Sequence, residues 1–76
     1  MSELEWMDIF SENLVSTLEE ADMTQRELSE MTGLSESSIS NYIHKKRLPN
    51  AKAIVNLAYA LNCSMDDLID FGDTVD

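Results

Sequence analysis

The sequence predicts an all-α fold, a compact bundle of five helices. Three observations predict it. Five helix starts are written in one chemical pattern, a capping residue flanked by an apolar pair. The apolar residues that follow keep helical spacing, as in Phe10, Leu14 and Leu18, and in Ile54, Leu57, Ala58 and Leu61. No segment alternates apolar and polar residues with period two between turn signals, so no sheet is expected.

The first start is Ser2. Glu5 completes a capping box and Met1 faces Trp6 as a staple, giving a helix over about 3–21. Thr24 repeats this with Glu27, and with Met23 facing Leu28, for a helix over about 25–32. Gly33 then breaks the chain, as glycine does where a helix ends in a left-handed residue. Ser35 restarts it almost at once, stapled by Leu34 and Ile39, for a helix over about 36–44. Asn50 follows Pro49 and opens a helix over about 51–61. Ser64, with Asp67 in the box position and Cys63 facing Leu68, opens the last helix, about 65–70. Residues 1–71 are expected to form one domain and 72–76 a short, frayed acidic tail.

Size and composition narrow the function. A chain of 76 residues buries only ~60% of its unfolded surface, so its core is modest and no separate catalytic or sensor domain is expected. Its hydrophobic content of 43% argues against wholesale disorder. No apolar run approaches the ~20 residues that span a bilayer, so no membrane partner is expected. The acidic N-terminus lacks the basic start and apolar stretch of a signal peptide. Cys63 is the only cysteine, which excludes an internal disulfide and a cysteine cluster for zinc. A cytoplasmic protein fits these features.

A net charge of −10 argues at first sight against nucleic acid. Its distribution reverses that impression. All five cations, Arg26, Lys45, Lys46, Arg47 and Lys52, lie between Met23 and Lys52. That stretch holds only three acids, Glu27, Glu30 and Glu36, and is net positive by two. The remainder carries twelve acids and no cation. Such asymmetry can orient a protein on an anionic ligand. The acids themselves are read as ordinary solvated helix faces.

Thr24 to Pro49 is the informative stretch. Two short helices around a tight glycine turn form a helix-turn-helix unit. The second helix of such a unit enters the major groove, N-terminal residues first. Here Ile39 and Tyr42 stand three apart on one face and are assigned to the core. Glu36, Ser37, Ser40 and Asn41 are left pointing outward. Asn can pair with adenine, Ser with several bases, and Glu can accept from cytosine N4. A plain solvent-exposed face explains that helix equally well. The compact basic loop His44-Lys45-Lys46-Arg47 tips the balance, because it follows where the chain leaves the groove. Double-stranded DNA is therefore the expected partner. Thr24, Ser35, His44, Lys45, Lys46 and Arg47 are the candidate contacts to its backbone.

The same stretch resembles the Cro/lambda-repressor-like helix-turn-helix family, the XRE family. The likeness rests on Met23-Thr24-Gln25, Glu27-Leu28-Ser29, Thr32-Gly33-Leu34-Ser35, Ser38-Ile39-Ser40, Tyr42, Arg47 and Pro49. It continues through Leu57-Ala58, Ala60-Leu61-Asn62-Cys63-Ser64 and Asp67-Leu68. It covers about residues 14–71 without gaps. The resemblance implies a lambda-repressor-like domain of five helices and transcriptional repression by dimers on palindromic operators. It implies that Gln25 contacts phosphate and that Glu36, Ser37 and Asn41 read bases. Lys45, Lys46 and Arg47 match its backbone-contacting loop. Three positions depart from the pattern. Lysine replaces a common glycine at Lys45, where a left-handed turn costs more. Ser29 replaces a small alanine, and Ile43 a glutamate.

Other residues have blander readings. His44 has no partner that would make it a general base. Cys63 is expected to be a small buried hydrophobe. Asp66, Asp67 and Asp70 lack the loop and glycine of a calcium site, and acids at a helix start are favoured anyway. Met7, Met23, Met31 and Met65 are expected as core filler. Trp6 caps the core or sits at a dimer contact. A homodimer is expected, joined near Ile69 and Phe71 or at the Trp6 end. No cofactor, small-molecule ligand or catalytic role is expected. The competing reading is a protein-interaction module, such as an antitoxin or adaptor, favoured by the net acidity and by a reading helix without Arg or Lys.

Overall fold

The computed structural model describes residues 2–69. The expected staple from Met1, and the expectations for Asp70, Phe71 and the tail over 72–76, lie outside them. The described residues form five helices and no strand: α1 (Glu3–Glu20), α2 (Gln25–Thr32), α3 (Glu36–Ile43), α4 (Ala51–Ala60) and α5 (Met65–Ile69). Each starts where its cap places it. α1, α3 and α4 end one residue earlier than the sequence suggests, α2 ends as expected, and the expected end of α5 lies outside the described residues.

The caps explain the starts. The side-chain oxygens of Ser2, Thr24, Ser35 and Asn50 accept from the backbone N–H groups of Glu5, Glu27, Ser38 and Ala53. Ser2 and Thr24 form complete capping boxes with Glu5 and Glu27. Ser64 does the same with Asp67, at 3.2 Å and 3.0 Å.

The helix ends use a device that the sequence does not advertise. α1, α3 and α4 each finish in a left-handed residue that is not glycine: Asp22, Lys45 and Asn62. Each is followed by an amide that reaches back to the helix, Met23 to Leu18, Lys46 to Asn41 and Cys63 to Ala58. This is the Schellman closure, which satisfies carbonyls orphaned at a helix end.

The core forms where apolar stripes of all five helices meet. Phe10, Leu14 and Leu18 of α1 pack with Leu28, Ile39, Tyr42, Ala53, Ile54, Leu57, Ala58, Ala60 and Leu61, and Leu68 of α5. Ile39 and Tyr42 are buried as expected. Tyr42 meets Phe10 edge-on, with ring centroids 5.9 Å apart. Trp6 stacks on Phe10 at 5.7 Å and is partly buried against the core. The methionine expectation fails in part. Met7 and Met23 are half-buried, but Met31 and Met65 are exposed, because both lie on faces turned away from the core. Cys63 is half-buried rather than buried. Burial and the nearby acids Asp67 and Glu20 push its thiol above the ordinary range.

Candidate nucleic-acid interface

Three polar ties hold α3 in place. Gly33 takes φ +77°, and a Cβ built on it would meet nothing within 4 Å, so the turn needs glycine for its torsion and not for space. The Ser29 hydroxyl donates to the Leu34 carbonyl across that turn at 2.6 Å. The Thr32 hydroxyl accepts the Leu34 N–H at 3.1 Å and donates back to Leu28 at 2.8 Å. Ser29 therefore does more than fit a tight packing position. On the other side, the buried Ser11 hydroxyl of α1 donates to the Tyr42 carbonyl near the end of α3. Sequence reasoning missed Ser11 and Ser29 as organisers. A serine inside an apolar stripe was the available signal in α1.

With Ile39 and Tyr42 in the core, α3 turns its other faces outward. Glu36 and Ser37 are exposed, while Ser40 and Asn41 are half-buried. Glu36 and Ser37 lie in the first turn, whose early N–H groups lack helical partners. Ser40 is partly committed elsewhere. His44 folds back along α3, with Nδ1 2.8 Å from the Ser40 carbonyl and 3.2 Å from its hydroxyl. A carbonyl only accepts, so this contact places the His44 proton on Nδ1 and leaves Nε2 for another partner.

The candidate backbone contacts divide in two. Thr24 and Ser35 are occupied as caps. The Thr24 N–H donates to Glu27 and its hydroxyl oxygen accepts from Glu27 N–H, at 3.0 and 3.1 Å. The Ser35 hydroxyl accepts from Ser38 N–H and donates to Ser38 Oγ. With their oxygens occupied, what these two residues shape is the helix start and its first amides. The second set lies at the surface, two of its members with partners of their own: His44 on Ser40 and Lys45 on Asp8. Gln25, His44, Lys45, Lys46 and Arg47 are all exposed. Lys45 takes φ +62°, so the turn that glycine usually makes is kept here by lysine. Its ammonium lies 3.4 Å from Asp8 of α1. Arg26 pairs with Glu30 at 3.5 Å along α2. Lys46, Arg47 and Lys52 make no ion pair among the described residues.

Ile43 now has an assignment. It is half-buried against the core and forms part of an open groove of about 510 Å³, with Val15, Leu18 and Met23, rimmed by Glu19 and Asp22. Among the described residues, no group of His, Cys, Asp or Glu side chains is placed to hold a metal ion, and no helix is long and apolar enough to cross a membrane.

The site thus joins an outward polar helix face, the capped starts of α2 and α3, and a basic loop. Compared with known proteins, the chain matches a family model described as helix-turn-helix over residues 16–68, which spans α2 to α4 whole and all but the last residue of α5. No curated protein and no solved structure gives a significant match.

Proposed function

The chain belongs to the Cro/C1-type helix-turn-helix family, a family of DNA-binding transcription regulators, and on that premise we propose that it is a repressor. In this reading it is a cytoplasmic homodimer that places α3 in the major groove of a palindromic operator. Glu36, Ser37, Ser40 and Asn41 meet base edges. Gln25, Lys45, Lys46 and Arg47 grip phosphates, with His44 at the edge and Thr24 and Ser35 presenting helix amides. One observation supports this most. In a chain of net charge −10, exposed Lys46 and Arg47 follow directly on the helix that carries the free polar face. That arrangement separates grip from reading, as DNA recognition requires.

The proposal is tested by duplex binding across salt, after selection of a site from a random pool. Affinity should fall steeply with salt. Lys46→Ala and Arg47→Ala should each weaken all sequences alike and flatten the salt slope by about one. Asn41→Ala should cost about 1–3 kcal/mol and relax preference at one base pair. No binding to any duplex at low salt would sink the proposal. Half-sites one helical turn apart, ~34 Å, and a dimer by sedimentation are the expected assembly results. Ile69 and Trp6 are the described candidates for its contact.

A protein-interaction module is the second reading. It is favoured by the absence of any Arg or Lys on α3 and by the exposed apolar pair Val55 and Tyr59 on α4, Tyr59 being 89% exposed. Its signature would be a stable protein complex with no duplex affinity.

A further inference from the structure

We propose that Asp8 of α1 sets the strength of the DNA grip, by acting as a built-in counterion for Lys45. The inference rests on the DNA-binding reading above and adds to it a residue outside the helix-turn-helix unit.

The geometry singles out one cation of the basic loop. Lys46 and Arg47 have no acidic partner among the described residues, whereas Lys45 Nζ lies 3.4 Å from Asp8 Oδ1. The backbone that carries this side chain is held in place. The Lys45 backbone is pinned left-handed at φ +62°, its N–H donating to the Tyr42 carbonyl at 3.3 Å. Ser11 of α1 donates to that same carbonyl. Asp8 stands three residues before Ser11, one helical turn away on the same face of α1. The hydroxyl that docks α1 on the end of α3 thus also brings a carboxylate to the first loop cation. Glu12, four residues beyond Asp8, lines a surface depression together with Ser11, Val15, Ile43 and Lys45. The edge of α1 beside Lys45 is therefore acidic over two turns.

A phosphate must compete with this carboxylate. Both partners stay solvated, with side-chain exposures of 42% for Lys45 and 58% for Asp8, so the pair is weak and exchangeable. A cation already neutralised by the protein adds little to counterion release, since Asp8 must recruit a counterion when Lys45 leaves it. The three loop cations then act as fewer than three toward DNA. This suits a protein whose reading helix carries no cation: part of its grip is held in reserve by α1.

The test uses the intact protein and its selected duplex. Asp8→Asn keeps size and hydrogen-bonding capacity while removing the charge. Asp8 is exposed, so the variant should fold as the parent does, checked by helical circular dichroism. Its affinity should rise about two- to fivefold at low salt, the range of an exposed ion pair. Its salt slope should steepen by up to about one. The same substitution in a Lys45→Ala background should have a clearly smaller effect, since only coupled residues depart from additivity. Equal gains in both backgrounds, or no gain in the parent, would overturn the role of Asp8 while leaving the DNA reading intact. If neither the parent nor the variant binds any duplex at low salt, the reading itself falls and this inference falls with it.

Discussion

Ser11 and Tyr42 lie 31 residues apart in the chain, yet one hydroxyl proton joins them. Ser11 is the one buried polar side chain among the described residues, and its bond satisfies it. The carbonyl it meets also serves Lys45, so a single acceptor ties α1, α3 and the basic loop together. Ser11→Ala should cost about 1 kcal/mol. For a domain of this size that lowers Tm by roughly 4–8 °C, measurable by thermal denaturation. An unchanged Tm would mean that the hydroxyl is spectator to the packing. Nothing in the local sequence around Ser11 names a partner so distant. The buried faces of Phe10, Leu14, Ile39 and Tyr42 were legible from spacing because burial is a property of each helix alone. A hydroxyl partner across helices is a property of the assembled fold.

At the scale of elements, starts and stops were unequally legible. Starts are chemical: an oxygen at Ser2, Thr24, Ser35, Asn50 or Ser64 answers a free amide, and the residue type announces it. Stops are torsional. Asp22, Lys45 and Asn62 adopt left-handed geometry without being glycine, so residue type says little about where α1, α3 and α4 end. Of the candidate interface, the exposed loop and the first turn of α3 could be read in advance. The half-burial of Ser40 and Asn41 could not, because it depends on His44 folding back and on neighbouring helices. The capping box at Thr24 yields a pH prediction. Hydrogen bonds from Thr24 hold the Glu27 carboxyl below the usual carboxylate range. Its depressed folded-state value means that the stabilising effect is present above the ordinary glutamate pKa and fades as pH falls through the lowered one. Glu27→Gln should therefore flatten the acid limb of the stability curve while leaving the limb near neutrality parallel to the parent. Two superimposable acid limbs would contradict the assignment.

For the whole molecule, charge acts in opposite directions on folding and on binding. Of the twelve acids outside residues 23–52, nine lie among the described residues, with no cation outside that stretch to offset them, and they repel one another in the compact state. Raising salt screens that repulsion, since the Debye length falls from ~30 Å at 0.01 M to ~10 Å at 0.1 M. The free protein should gain thermal stability as salt rises over that range. Under the proposed function its duplex affinity should fall over the same range. Calorimetry and binding on one preparation would show the two trends diverging. If both declined together, folding rather than phosphate contact would be governing the binding curve.

Gly33 carries a consequence for which residues its turn accepts. The space around it is open, so the turn between α2 and α3 demands handedness and nothing else. The chain meets the same demand three times over with aspartate, lysine and asparagine. Each costs roughly 1–2 kcal/mol at most, and least for the short polar side chains. The signature glycine of the motif thus avoids a torsional cost rather than a clash. Asparagine, which already holds a left-handed torsion at Asn62, is the side chain that would keep this turn at the smaller cost.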